Sequence, residues 1–419
     1  MTSATRASTP RVAVIGAGIV GAATALALQR HGMAVTLVDQ GAPGMACSYG
    51  NGGAISPDFC VPASLPGMIK RVPRWLTDPD GPLVIRWRHL PAALPWLTRW
   101  MMAGSLDRVH ASSAALRALH APSLDRYARL LGAHHDALIE TTGQIYVWRS
   151  AGASPTEALA RGLREKHGVI TRALDANAIR ELDPNLAPGF TRGLFFPDNG
   201  HTVNPLRLVQ TLVKLFAEAG GRIEQRKVVR FVVADGKAAA ARCEGAEDLV
   251  ADTFVLATGI RSRKFASALG DRVPLEAERG YHVMLPDPGV RPRIKISNRD
   301  HMFGMTPMEH GVRIAGTVEL AGPDAPMDER RARSLLAHAK RMYPGLNGEG
   351  AQFWMGSRPS TPDSLPVIDR ATRARNVVYA FGHGHTGLTG APLTAELVTS
   401  LVTGMPPPID PAPFRATRF

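Results

Sequence analysis

The stretch "RVAVIGAGIVGAATALALQRHGMAVTLVDQ", residues 11–40, decides how the rest of the chain is read. Arg11 to Ile15 form a short apolar run, and Gly16-Ala17-Gly18-Ile19-Val20-Gly21 follows at once. The pattern predicts a strand, a tight turn, a helix to about Gly32, and a second strand from Ala34 that ends at Asp39. Gly16 permits the turn, Gly18 lets backbone N–H groups approach a pyrophosphate, and Gly21 lets the helix pack on the strand. The helix N-terminus adds partial positive charge where the phosphates need it. Asp39 lies 23 positions after Gly16 (39 − 16), where an acid can accept hydrogen bonds from a ribose. A bound dinucleotide is expected, and this motif alone leaves NAD and FAD open. Val12 to Leu28 is apolar enough to suggest a membrane span, but three glycines at turn spacing make it a buried strand, turn and helix.

Size and composition bound the remaining choices. A chain of 419 residues suits two domains or one large one, and 45% hydrophobic with 20% charged residues is ordinary for a globular protein. The first segment, "MTSATRASTP", lacks an apolar signal-peptide core and reads as a short flexible lead. Cys47, Cys60 and Cys243 form no CxxC pair and no even disulfide framework, which places the chain in a reducing compartment, the cytoplasm. His383 and His385 stand one residue apart in the second glycine loop, but no Cys, Asp or Glu at ligand spacing accompanies them, so no metal is expected. The net charge of +13 raises nucleic acid as a partner. Arginines are scattered through an alanine-rich chain with no basic run interleaved with aromatics, so no nucleic acid is expected.

The later chain discriminates between the two dinucleotides. An NAD domain would continue after Asp39 with helix and strand units. Instead "GAPGMACSYGNGGAISP" follows, a loop of small residues in which Ser48, Asn51, Gly52, Gly53 and Ala54 can wrap donors around a cofactor. "GGRIEQRKVVRFVVADGKAAAARCEG" reads as a β-meander with turns at Asp235-Gly236 and Glu244-Gly245. A buried strand from Thr253 to Leu256 then runs into Ala257-Thr258-Gly259. Near the end, Val377 to Ala380 form a strand and "FGHGHTGLTGAP" turns into a helix with Pro392 near its first turn and Gly404 at its end. Leu393, Leu397, Val398, Leu401 and Val402 make its buried face. Such a loop sets helix-end donors against a planar ligand. An isoalloxazine fits, because its reduced form carries negative charge that those donors stabilise.

These segments together resemble the D-amino acid oxidase superfamily of FAD-dependent oxidoreductases. The similarity is greatest to bacterial D-amino acid dehydrogenases, including the branch acting on D-hydroxyproline. It rests on "VIGAGIVG" with Asp39, "CSYGNGGAISP", "VLATG", "ERGYHVML", "WMGSRPSTPDSLPVID", "GHGHTGLTGAP" and "IDPAPFRATRF", spread in order over nearly the whole chain. Asp369 stands where many members carry glycine. The resemblance implies an α/β fold: a discontinuous Rossmann-like FAD domain over residues 10–62, 198–272 and 355–413. An α+β substrate domain on a mixed or antiparallel sheet would take 63–197 and 273–354. Implied FAD contacts are Gly16, Gly18, Ile19, Val20, Asp39, Gln40, Ser48, Asn51, Gly52, Gly53, Ala54, Val229, Thr258 and Gly259. Gly384, His385, Thr386, Gly387, Leu388 and Thr389 complete them at the far wall of the site.

The implied chemistry is oxidative deamination of a D-amino acid, such as D-proline or 4-hydroxy-D-proline. Hydride passes from Cα to flavin N5, and the imine becomes a 2-oxo acid or, from prolines, a cyclic imine. An arginine clamps a carboxylate best, through paired hydrogen bonds, and Arg358 in "GSRPSTPD" is the candidate, with Asp363 as its alternative structural partner. Tyr281 and His282 are expected to line the pocket, and His385 to approach flavin or substrate. A flavin oxidase of glycine or sarcosine, an NAD dehydrogenase and a flavin-bearing RNA-modification module are the alternatives. The electron acceptor is a quinone or oxygen. Trp75, Trp87, Trp96 and Trp100 with Arg71, Arg74, Arg86 and Arg99 form either a membrane-surface patch or core tryptophans with arginines reaching outward. The first option places the protein at the inner face of the cytoplasmic membrane.

Overall fold

Two large sheets organise the chain. The computed structural model describes residues 9–78 and 81–419, without the side chains of residues 69, 71 and 74–76. Most of the N-terminal lead and the side chains of Arg71, Arg74 and Trp75 therefore lie outside the described residues.

The first sheet has six strands in the order Arg222–Gln225, Ala34–Asp39, Arg11–Ile15, Thr253–Leu256, Val377–Phe381 and Val367–Arg370. All neighbours run parallel except the last pair. Parallel strands with both faces covered read as continuous apolar runs, and Val12, Val14, Leu37, Val255 and Val378 are buried accordingly. Helices Ile19–Arg30, Pro205–Glu218 and Gly387–Thr403 pack on one face. Asn204 starts the second of these by accepting N–H bonds from Leu206 and Arg207, with Pro205 in its first turn. Gly404, at φ 78°, ends the third in the left-handed region. That helix begins at Gly387, so Pro392 stands in its second turn, later than expected from the sequence.

The expected meander divides between two sheets. Arg222–Gln225 joins the parallel sheet beside Ala34–Asp39, while Val228–Ala234 and Lys237–Cys243 form a separate hairpin. Asp369 plays a structural part, since its Oδ2 accepts from Ala416 N at 2.9 Å and ties down the C-terminal tail.

The second sheet is mixed and nine-stranded. Its central run is Gln352–Ser360, Glu276–Leu285, Gly311–Leu320, Phe303–Met308, Lys295–Asn298 and Gln144–Trp148. Helix Glu329–Met342 covers one face, over Tyr281, Val283, Ile314 and Met305. The expected domain boundary at 355 falls inside strand Gln352–Ser360. Helices Leu106–His120 and Ser123–Leu131, assigned from sequence to the second unit, pack instead in the first core through Leu116, Leu119 and Tyr127.

Among the described residues, no helix is long and apolar enough to cross a membrane. Trp96 and Trp100 are buried and stacked at 6.3 Å, and Trp96 donates to the Ser360 carbonyl. Arg86 pairs with Glu319 and Asp328. Within the expected aromatic patch, these two tryptophans are core residues and Trp87 is exposed.

Candidate active site

The glycine turn is packed too closely against backbone to admit side chains. Gly16 has φ 107°, and a Cβ there would stand 2.4 Å from the Ala257 carbonyl. A Cβ on Gly21 would stand 1.8 Å from the Gly16 carbonyl, so helix and strand touch through bare backbone. Gly18 opens the helix in extended conformation with no side-chain cap, and its first turn holds no acid. Asp39 secures the turn: Oδ2 accepts from Ala17 N at 2.7 Å and Oδ1 from Gly41 N at 3.0 Å. Ser48 Oγ accepts from Ile19 N at 2.9 Å, linking the second glycine-rich loop to the first. Val20 packs against the core beneath the turn. Thr258 and Gly259 follow strand Thr253–Leu256 in a short 3₁₀ turn next to Gly16, with Thr258 Oγ1 2.9 Å from Ser262 Oγ. Gln40 offers its carbonyl to Gln225, and Val229 lies half-exposed on the hairpin. A turn of closely packed bare backbone, at a helix N-terminus without an acid in its first turn, fits a dinucleotide pyrophosphate.

The loop from Tyr49 to Ser56 is fixed between the two sheets. Arg313 donates to the carbonyls of Tyr49 at 2.7 Å and Asn51 at 2.8 Å, and Thr306 Oγ1 donates to the Gly52 carbonyl at 2.7 Å. Asn51 Oδ1 accepts from Gly53 N at 2.8 Å, and Ala54 pairs with His201 in a small sheet. Ser56 N donates to Thr389 Oγ1 at 3.1 Å, so this loop meets the start of the last helix.

That last helix begins where the second sheet ends. His383 pairs across a bridge with Ser360, and Gly384 has φ 51°. The two histidines diverge. His383 Nε2 meets Thr394 Oγ1 at 2.9 Å, and burial pushes its imidazole down to about 3. His385 Nε2 reaches Glu278 Oε2 at 2.6 Å. Thr386 Oγ1 donates to the His383 carbonyl, Leu388 O accepts from Tyr127 OH, and Gly387 opens the helix. Among the described residues no group of three or more His, Cys, Asp or Glu is placed to hold a metal.

Strand Glu276–Leu285 sorts the remaining candidates by alternation. His282 faces the cofactor loop, with Nδ1 3.0 Å from the Gly50 carbonyl and its ring stacked on Trp354 at 5.0 Å. Burial pushes it down to about 3, so it is neutral. Gly280 faces the same way: a Cβ there would stand 2.1 Å from the Arg358 guanidinium, which lies over it. Tyr281 faces the opposite side. It is buried under helix Glu329–Met342 and donates to Glu319 at 2.5 Å, with Arg279 pairing to the same carboxylate at 3.2 Å. The structure does not bring Tyr281 to the site, because adjacent residues of a strand point to opposite faces.

Arg358 donates to the Thr317 carbonyl at 3.4 Å. Asp363, its suggested partner from sequence, pairs instead with Arg418 at 2.7 Å. Glu278 was missed by sequence reasoning. It stands opposite Arg358 in the strand pair, is buried, and is held below the usual carboxylate range by His385 and Arg358 against its burial. Period-two spacing with Gly280 and His282 was the signal that could have found it. Cys47 donates to the Ser357 carbonyl, and burial raises its thiol.

A parallel sheet with a glycine cradle, closed by a second sheet that carries a half-buried arginine, defines a two-sheet dinucleotide-dependent enzyme. The family model "FAD dependent oxidoreductase" matches residues 11–401, and the chain belongs to that family. FAD is therefore its dinucleotide. The chain is 40% identical to a D-amino-acid oxidase of Bradyrhizobium diazoefficiens, over 97% of this chain and 98% of that one. It is 31% identical to a D-amino acid dehydrogenase of Paramagnetospirillum magneticum, over 96% of each. Its fold is similar to glycine oxidase from Bacillus cereus, with TM-score 0.72 and 17% identity over 94% of this chain and 95% of that one. It also resembles L-proline dehydrogenase from P. horikoshii, with TM-score 0.74 and 17% identity over 98% of each.

Proposed function

We propose that this enzyme oxidises D-amino acids, with Arg358 as the clamp for the substrate carboxylate. The observation that carries the reading is the placement of Arg358: its guanidinium lies over Gly280, on the sheet face that the cofactor loop crosses. A planar guanidinium binds a carboxylate through paired hydrogen bonds and orients it. The glycine beneath leaves room that any side chain would fill. The names of the two relatives support the handedness. FAD, when bound, supplies the acceptor for the hydride leaving Cα, so the substrate becomes an imine and then a 2-oxo acid, or a cyclic imine from D-proline and 4-hydroxy-D-proline. His282 stays neutral and adds no charge against the amine, while Trp354 and the Gly50–Gly53 loop keep water from that side of the site. Glu278 and His385 hold the register between the last helix and the Arg358 strand.

The test is visible absorption of the purified protein mixed anaerobically with D- and L-amino acids, D-proline, 4-hydroxy-D-proline, glycine and sarcosine. Bleaching of the flavin band by D- but not L-amino acids is expected. Bleaching by glycine or sarcosine alone would overturn the proposal in favour of a small-amine oxidase. Reoxidation by oxygen or by a soluble quinone then identifies the acceptor.

A further inference from the structure

Arg358 is half-buried, and it is not the sole cation on the cofactor-facing side of the second sheet. Lys295 lies on the neighbouring part of the same face and is 8% exposed. Its ammonium leans over Gly304, 3.5 Å from where a Cβ would stand. The faces match by register: His282 pairs with Ala315, and Ala315 with Gly304. Gly52 packs on Ala315, and Thr306, two residues from Gly304, donates to the Gly52 carbonyl.

The two cations share an energetic predicament. Burying a charge without a partner is costly, and the usual remedies are an opposite charge or loss of the charge itself. Among the described residues neither Arg358 nor Lys295 forms an ion pair within 4.0 Å, and the one carboxylate whose charge acts on Arg358, Glu278, is shared with His385. Asp58 is the carboxylate nearest in influence to Lys295, and it is a poor counterion. It is buried, its Oδ1 has no hydrogen-bond partner, and burial raises its pKa. Arg299, stacked on Tyr146 at 4.9 Å, adds positive charge to the same region. Burial accordingly pushes Lys295 down to about 8. A second anion would hold it charged.

The spacing says what kind of anion. Gly280 and Gly304 are two strands apart across the sheet and two residues apart along it, which sets these two glycines, each with a cation beside it, about 12 Å apart. An extended glutamate carries its carboxylate carbons about 5 Å apart, and two charge-assisted contacts add about 3.5 Å each, for about 12 Å in all. Gly280 and Gly304 place no side chain beneath the two cations, and Gly52, packed on Ala315, borders the line between them.

We propose that Arg358 and Lys295 form a two-cation site for a dicarboxylic D-amino acid. D-glutamate and D-aspartate are then the preferred substrates, with Arg358 on the α-carboxylate and Lys295 on the distal one. This rests on the oxidation of D-amino acids proposed above. A charge-assisted hydrogen bond is worth enough to favour D-glutamate over D-alanine about tenfold or more in kcat/KM.

Two measurements on the FAD-loaded enzyme test it. In the first, thermal stability is read with glutarate or butyrate present, neither of which can be oxidised at an amine. Glutarate is expected to raise Tm more than butyrate at equal concentration. In the second, anaerobic flavin reduction compares D-glutamate and D-aspartate with D-alanine, D-leucine and D-proline. Lys295→Met should lower the D-glutamate to D-alanine ratio about tenfold, and Lys295→Arg should restore part of it. A wild-type ratio near one, or equal Tm shifts from glutarate and butyrate, would overturn the two-cation site while D-amino acid oxidation stands. If no D-amino acid bleaches the flavin, the oxidation proposal itself fails, and the glutarate shift still decides the two-cation site without any variant.

Discussion

Adjacent residues of one strand divide chemistry from support. Tyr281 and His282 are neighbours in "RGYH", yet one packs under a helix and the other touches the cofactor loop. Tyr281→Phe removes a 2.5 Å hydrogen bond to a buried carboxylate. It should cost about 1–3 kcal/mol of stability and leave KM unchanged, as urea unfolding and steady-state kinetics would show. Arg358→Met should do the reverse, raising KM about a hundredfold with little change in unfolding midpoint. Buried neutral histidines set a pH limit. His282 and His383 are pushed down to about 3, against an ordinary value near 6.5 in the unfolded chain. Between those values the unfolded state binds more protons, so stability falls as pH drops below about 6.5 and continues to fall towards about 3. At pH 5 each histidine should have cost about 2 kcal/mol. A Tm that stays level from pH 7 to pH 5 would show that these rings are not held neutral by burial.

At the scale of one element, the last helix has a left-handed residue at each end. Gly384 precedes it at φ 51°, with a Cβ position 3.2 Å from Ser360 Oγ, and Gly404 closes it at φ 78° with open space around it. Valine at either position incurs backbone strain of about 1–3 kcal/mol. If the N-terminal end is the flavin wall, Gly384→Val should shed FAD on dialysis, while Gly404→Val keeps it at a similar loss of Tm. Equal flavin retention in the two variants would remove the wall from that end. The helix also shows why it starts earlier than its sequence suggests. It is buried nearly all round, from Leu388 through Val398, so the apolar face that marks a boundary in an amphipathic helix is absent.

Across the whole molecule, the dinucleotide cradle joins segments far apart in sequence. Gly16 packs on Ala257, Ser48 bonds to Ile19, and Thr389 bonds to Ser56. FAD binding to the folded state stabilises it by mass action, by about 4 kcal/mol when free FAD exceeds its Kd a thousandfold. Apoprotein prepared by acid ammonium sulfate should therefore melt several degrees below holoprotein, and added FAD should restore the difference. What the sequence by itself determined was the nucleotide half: a strand, glycine turn, helix and acid are contiguous, and each glycine answers a local steric demand. The small-residue loop from Gly41 to Pro57 and the turn "FGHGHTGLTG" before a helix were legible as backbone features for the same reason. Tertiary structure alone decided how the residues of the proposed substrate half are placed. The pairing of Glu278 with His385, the release of Arg358 from Asp363, and the approach of Lys295 to the Arg358 face all depend on strand register. Register brings together residues dozens of positions apart, and it is set by how two sheets share one core, which no local pattern records.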